Sequence, residues 1–453
     1  MVGSPVDRTR SGAARTVITP PVGYPMGNWG LRQGVAKGIH RDIHARAVVF
    51  ERYGMLLAIV SLEIAGLTSE TVQAIKARIF QVAGIPVDNI LLNFTHNHTS
   101  PDTIISLPRE WITWATWLAD QVAGVVFNAV NQAMPANVGS GLGSFDGWTV
   151  NRQYPNRQID TEVGVMVVND DEGSPIARLV NFACHGVADG GQYLEWSGDF
   201  AGEMSAEIED RVPGAVAIYL QGAAGDIHPF DWWFGNRASE HLHSHEDTAL
   251  LGKSLANAAL KVGEGVSASS DVALGVATAV TRLPRHQVNW TIEAALDNRK
   301  KLAVALGTYT GETWLPGTTT ANTAENHPEL YGWGNNEVSL ASNQSLPAVP
   351  ITIRGFRIGD TLISAHAGEL FNELGSNIKD GAGDNRPWIA SYCDEYIGYI
   401  STRHPHDEIA AIPVTEIVDM KKYRRYYGTT TSPFAPEAGE TLVETAIEVL
   451  KTL

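Results

Sequence analysis

The chain has 453 residues, 44% hydrophobic and 18% charged, enough apolar material for a large core and too much for compositional disorder. Lys+Arg 33 against Asp+Glu 50 gives a formal net charge of -17, and no basic run exists to track a phosphate backbone, which excludes nucleic acid as a partner. No apolar run reaches the roughly 18 residues needed to span a bilayer, and the opening MVGSPVDRTRSGAARTVITPP lacks the apolar centre of a secretory signal. A soluble, cytoplasmic protein with no stable membrane insertion is expected, its oligomeric state open. Cys184 and Cys393 make no CxxC pair and read as small buried residues of a reducing compartment.

Taken in chain order, AVVFE, the turn RYG and MLLAIVSLEI predict a hairpin. A helix follows over SETVQAIKARIFQVAG, with Ser69 as N-cap and Gly84 as stop, and then the strand DNILLNFTH. Strand, helix, strand predicts a parallel crossover. REWITWATWLADQVAGVVFNAV reads as a helix with Trp111, Trp114 and Leu118 on its core face. EVGVMVVND and IARLVNFACH flank the turn DEGSP as a second hairpin, and the helix FAGEMSAEIEDRVPG leads into the strand AVAIYLQ. A third hairpin pairs VPITIRGFRIGD with TLISAHAG around Gly359 and Asp360. PWIASYCDEYIGYI reads as one strand after a short helix, and ETLVETAIEVLKTL as a closing helix.

Residues 284 to 348 are rich in Asn, Thr, Gly and Trp and only weakly periodic, apart from a helix near Ile292 to Leu306; they read as an insertion or lid. With no repeat and no Pro/Ser-rich linker, the expected fold is α/β, a single domain over 1–453 built on a large mixed sheet with flanking helices and ligands at the strand ends.

The sharpest chemical signal is NFTHNHTSPD at the end of a strand. Histidines at i and i+2 on extended chain point the same way, so His96 and His98 suit one metal ion, or a hydrogen-bonded surface pair. NFACHG sets His185 at the end of a second strand and SAHAGELF sets Glu369 at the end of a third. Ligand sites in open α/β sheets gather at such ends, and His and carboxylate ligands arriving there from separate strands make an open zinc site.

Taken together, ITPPVGYPMGNWG, GIHRDIHARAVVFE, THNHTSPD, VNRQYPN, NFACHG, QGAAGDIHP, HAGE, YIGYIST and SPFAPEAGETLVETAIEVL form an ordered series over nearly the whole chain. In that series the chain resembles the neutral/alkaline ceramidases, zinc amidases that cleave the N-acyl bond of ceramide. The resemblance implies Zn2+ held by His96, His185, Glu369 and Tyr399, with His98 beside the metal as an acid/base residue and Arg152 meeting an emerging oxyanion. On its own, Tyr399 reads as a half-buried strand residue and Arg152 equally as a surface ion pair. Two departures are expected to matter. His228 stands before Pro229 where the family carries a serine, and the chain stops where the catalytic domain of the longer ceramidases ends, without their C-terminal β-sandwich domain.

The expected function is a zinc-dependent hydrolase that cleaves a linear N-acyl amide through metal-activated water, with His98 or His228 returning the proton to the leaving amine. The partner is a small-molecule acyl substrate, smaller or more polar than ceramide, and the stretches near Trp232, Trp233 and Trp333 suit a compact aromatic pocket as well as an acyl chain. An esterase or lactonase and a non-catalytic metal-binding protein are the alternatives. Of the other polar residues, Asp199 reads as a helix N-cap. His241, His243 and His245 in HLHSH read as a solvated helix start, with a second metal site as the rival. His404 and His406 are candidates for the mouth of the site, and His366 for strand packing.

Overall fold

A computed structural model describes residues 8–26, 35–101, 103, 109–229, 243–285, 347–384, 386–411, 426–430 and 432–453. In chain order the elements are β1 Arg10–Val17, β2 Gly38–Ile39, β3 His44–Arg52, β4 Met55–Leu62, α1 Ser69–Ala83, β5 Ile90–Phe94, α2 Arg109–Asn131, β6 Met134–Ser144, β7 Thr149–Asn151, β8 Glu162–Asp170, β9 Pro175–Phe182, β10 Glu195–Trp196, α3 Asp199–Arg211, β11 Val216–Gln221, β12 Ile227–Pro229 and α4 His245–Glu264. There follow β13 Leu274–Pro284, β14 Ala348–Ile358, β15 Thr361–Ala365, β16 Glu369–Leu370, α5 Asn372–Gly381, β17 Trp388–Ala390, β18 Tyr399–Ile400, α6 Arg403–Ala410, α7 Tyr427–Thr430 and α8 Ala438–Lys451.

The large mixed sheet is present, in the order β11-β9-β8-β6-β1-β3-β4-β5. Its three predicted features hold: β3 and β4 form a hairpin, β8 and β9 another, and β4 runs parallel to β5 across α1. Two halves meet at a corner where β1 and β6 share only the pairs Arg10↔Pro135 and Ser11↔Met134. The far edges are joined by side chains: Ser61 Oγ donates to the Tyr219 carbonyl at 2.6 Å, and Asn93 Oδ1 accepts from the Gln221 amide at 2.9 Å. Asn93 and Gln221 lie at the C-terminal ends of β5 and β11, so the curl brings together strand ends that lie at opposite edges of the strand order.

A second sheet, which the sequence reading did not separate from the first, has the order β13-β14-β15-β17. Its inner face contributes Phe356, Ile363, Trp388 and Ala390 to a core shared with Val48, Phe50 and Leu57 of one half of the large sheet and Met166, Leu179 and Ile218 of the other. The opposite faces are covered by helices. Val72, Ile75 and Ile79 of α1, with Leu118 and Val122 of α2, cover one half; α3 and α4 cover the other through Phe200, Met204, Leu251 and Leu255. Leu374 and Ile378 of α5 and Leu442 and Ala446 of α8 cover the second sheet. Apolar side chains on both faces of the strands account for the near-continuous hydrophobic runs in sequence.

Several local expectations are corrected. The N-cap of α1 is Thr68, whose hydroxyl accepts from the Thr71 amide, because Ser69 is already helical; Gly84 does stop the helix, at φ 70 with its N–H on the Phe80 carbonyl. PWIASYCDEYIGYI is not one strand. The left-handed backbone of Tyr392 (φ 56) and Asp394 (φ 63) separates β17 from β18. The insertion leaves at Pro284 and returns at Ala348, which pair across the β13–β14 hairpin. Residues 286–346, with Trp333 and the helix near Ile292 to Leu306, lie outside the described residues, as do His241, Trp232, Trp233 and the side chain of Trp111. Trp114 and Leu118 are buried in the core as expected. Both cysteines are buried and free.

The break between β17 and β18 is anchored by charge. Asp394 pairs with Lys76 of α1 at 2.5 Å and with Arg354 of β14, and Lys76 is 1% exposed. Removing the carboxylate would leave two cations without it in a dry setting, so Asp394→Ala is expected to lower the unfolding free energy by about 3–5 kcal/mol. Urea denaturation with an unchanged m-value would register it, and a loss within about 0.5 kcal/mol would show that the triad is solvated.

Candidate active site

Three chain segments carry the histidines and the carboxylate to one point. Past the end of β5 the backbone turns left-handed at His96 (φ 57), an uncommon conformation for a residue with a side chain, and the imidazole turns inward. Past β9, His185 arrives against the same segment: Asn97 bridges Gly186, and the His98 amide donates to the Gly186 carbonyl at 2.9 Å. A Cβ on Gly186 would stand 2.4 Å from the His96 carbonyl oxygen, which is why the motif requires glycine there. Glu369 comes from β16, whose parallel pairing with β18 sets Glu369 opposite Tyr399.

The ring nitrogens are assigned by their partners. His96 Nδ1 donates to the Ala65 carbonyl at 2.8 Å and His185 Nδ1 to the Ala224 carbonyl at 3.1 Å, since a carbonyl only accepts. Both Nε2 atoms therefore face the centre, and in the neutral tautomer each presents a lone pair there. Glu369 Oε2 lies 3.3 Å from His96 Nε2 and 3.7 Å from His185 Nε2. That oxygen is buried with no hydrogen-bond partner among the described residues. His98, half-buried, sets its Nε2 3.1 Å from that of His96. His96, His98 and His185 form a cluster able to hold a metal ion. Burial first, then the neighbouring His96 and His228, holds the His185 pKa well below its usual value, so the ring is a neutral donor of electrons.

Arg152 and His228 meet because β7 and β12 pair antiparallel, with His228 opposite Val150. Arg152 Nη1 donates to His228 Nε2 at 2.9 Å. A guanidinium can only donate, so His228 accepts there and keeps its proton on Nδ1. Burial, then the Arg152 charge, pushes the His228 pKa well down. The Arg152 guanidinium also stands over the rings of Tyr399 and Tyr427, at 5.1 and 5.6 Å. Asp226 braces this corner: its carboxylate accepts from the Asn372 amide at 2.7 Å and from Asn151 Nδ2 at 2.6 Å, while its carbonyl accepts from the Arg152 amide.

Two tyrosines escaped the sequence reading. Tyr396 donates its hydroxyl to Glu369 Oε1 at 2.6 Å, and Tyr392 packs its ring 4.4 Å from that of His96. Their sequence signal is faint, two aromatics in a run that resembles a strand; the glycine within YIGY is the one hint that the run breaks. Burial, then the Glu369 charge, raises the pKa of both phenols and that of Tyr399.

The remaining histidines have partners of their own. His366 is fully buried at the end of β15, as strand packing predicts. His404 pairs with Glu408 at 2.9 Å and His406 bonds Ser401 at 2.8 Å. Asp199 is not an N-cap. It is the first helical residue of α3, behind Gly198, and its carboxylate accepts from the amides of Ala188, Asp189 and Phe200. His245 does begin a helix, capped by Ser244 in a capping box with Asp247, but His243 is buried rather than solvated.

No protein-family model and no curated protein matches the sequence. Solved structures do match in shape. A neutral ceramidase from Pseudomonas aeruginosa superposes with a TM-score of 0.72 at 18% identity, covering 98% of this chain and 74% of that one. The chain has the fold of the neutral ceramidases. A structure described as a ceramidase complexed with C2 superposes at 0.69 with 17% identity, over 98% of this chain and 75% of the other. The resemblance read from the ordered motifs thus extends to the three-dimensional fold. Among the described residues no helix is long and apolar enough to cross a membrane.

Proposed function

We propose that this protein is a zinc-dependent amidohydrolase acting on linear N-acyl amides. The observation that carries the reading is Glu369 Oε2, a buried carboxylate oxygen without a hydrogen-bond partner among the described residues, faced by the Nε2 atoms of His96 and His185. Nitrogen and carboxylate donors about 3.3 Å apart are the edge of a coordination tetrahedron with bonds of about 2.0–2.1 Å, so the residues fit zinc. Bound there, zinc would supply a water of lowered pKa and polarise the substrate carbonyl. The likeness to neutral ceramidases in fold supports the amide as the bond cleaved.

His96, His185 and Glu369 hold the metal, and Tyr399, opposite Glu369 in the β16–β18 pair, completes the set. Tyr396 fixes the carboxylate by bonding its other oxygen, as partners of metal ligands do. Arg152 offers its guanidinium as donor to the oxygen that becomes negative when the carbonyl carbon turns tetrahedral. His228, holding Nη1, keeps that donor aimed. His98 is the imidazole with access to solvent near the centre, and it passes the proton to the departing amine. The substrate is more compact or more polar than ceramide, because an imidazole at His228 occupies the corner where the family has a hydroxymethyl group.

Metal analysis of protein purified without a chelating tag, followed by a panel of N-acyl amides and matched esters, tests the reading. Zinc at the His96 site and chelator-sensitive release of amine from short N-acyl amides are expected. Turnover of esters with none of amides, or amide turnover unchanged after chelation, would overturn it.

A further inference from the structure

Away from the active site, His245 stands at the start of α4 in a setting built like that of a metal ligand. Its Nδ1 is 2.8 Å from Oδ1 of Asp189, a carboxylate with no solvent exposure, which leaves Nε2 directed outward, 3.3 Å from Glu195 Oε2 on β10. A carboxylate on one imidazole nitrogen, with the other turned to a second donor, here Glu195 Oε2, is the arrangement that orients metal-bound histidines. The 3.3 Å spacing equals that between Glu369 and His96. The third donor is His40, directly after β2, with its ring stacked on His245 at 3.7 Å and 2°. Tyr193 packs the opposite face of His245 at 3.9 Å, so the central ring is clamped on both sides. One donor atom from each of His40, Glu195 and His245 falls within 4.8 Å of the other two.

We infer that His40, Glu195 and His245 form a second site for zinc or another late first-row divalent cation, with Asp189 orienting His245. Two imidazoles and one carboxylate are a donor set that such ions prefer over magnesium or calcium. The stacked rings hold their nitrogens side by side rather than converging. Binding therefore requires one ring to tilt, and His40, exposed while His245 is clamped, is the one that does. The chain on either side of it is already fixed: β2 pairs with β10, and Arg41 grips Glu203 of α3 through two bonds of 2.7 and 2.9 Å. An ion there would tie β2, β10 and α4 together, and with them the turn from His185 to Asp199. Glu246 and Asp247 in the first turn of α4 offset the repulsion between a cation and the helix N-terminus.

The test is zinc titration of tag-free protein against a chromophoric chelator, with circular dichroism as the check on folding. The unaltered chain should take up about two equivalents. A chain with His96→Ala and Glu369→Gln, which silence the first site, should keep about one, and adding His40→Ala should weaken that remaining binding by at least about 10-fold. His40 is exposed, so its replacement leaves folding intact; His245→Gln should act in the same direction. No uptake by the silenced chain, or uptake that neither His40→Ala nor His245→Gln weakens, would overturn the inference.

Discussion

Glu369→Gln should cost the protein the metal of its first site and nearly all turnover, a fall of about 10³-fold or more. The amide keeps the volume of the carboxylate and an oxygen for the Tyr396 hydroxyl, so packing changes little. What disappears is the anionic oxygen between His96 and His185. Losing a single donor to a developing oxyanion costs about 10²–10³ in turnover, and here both the polarising ion and the source of the nucleophile go with it. Elemental analysis alongside single-turnover kinetics would register the effect. Metal content unchanged at this site, with turnover within about 10-fold of the parent, would remove Glu369 from the ligand set.

Arg152→Ala should retain the metal and lower turnover by about 10²–10³-fold with a smaller change in KM, as expected for an interaction that strengthens only as charge develops. His228 separates two mechanisms. If it acts by holding Arg152 Nη1, the double variant Arg152→Ala/His228→Ala is no slower than Arg152→Ala alone. If it carries a proton itself, the two losses multiply, and the His228 step adds about 10²–10⁴-fold. The hydrogen bond favours the first outcome, because the nitrogen facing Arg152 is already an acceptor. His228→Ser should not restore activity, since the shorter side chain cannot reach the guanidinium.

Much of the fold was legible because its rules are local. Alternating apolar runs around RYG, DEGSP and Gly359–Asp360 announced three hairpins, and the 3.6-residue spacing from Val72 to Ile79 announced a helix with Gly84 to end it. The separation into two sheets was not legible. Central strands of both sheets, such as β4 and β15, are buried almost throughout and read alike, and nothing in the sequence marks the corner where β1 and β6 share only two pairs. The same contrast runs through the site. His96, His185 and Glu369 stood out as polar residues that end apolar runs. Tyr396 did not, because its role depends on left-handed backbone at Tyr392 and Asp394. The Arg152–His228 bond depends on a pairing of three residues with three, too short for periodicity to reveal.

The curl of the large sheet carries a consequence for how the proposed zinc site is assembled during synthesis. His96 lies at one edge, His185 near the other, and Glu369 and Tyr399 in a pair formed late in the chain. A ribosome-bound chain that has released only its first half holds His96 and His185 but lacks the carboxylate. It would bind zinc no better than two loosely tethered imidazoles, because closing loops of that length costs entropy that only the finished packing repays. If the proposed zinc binds here, its uptake follows the packing of β16 against β18. On the proposed reading, chain made without zinc would lack turnover, and adding the ion back would restore it.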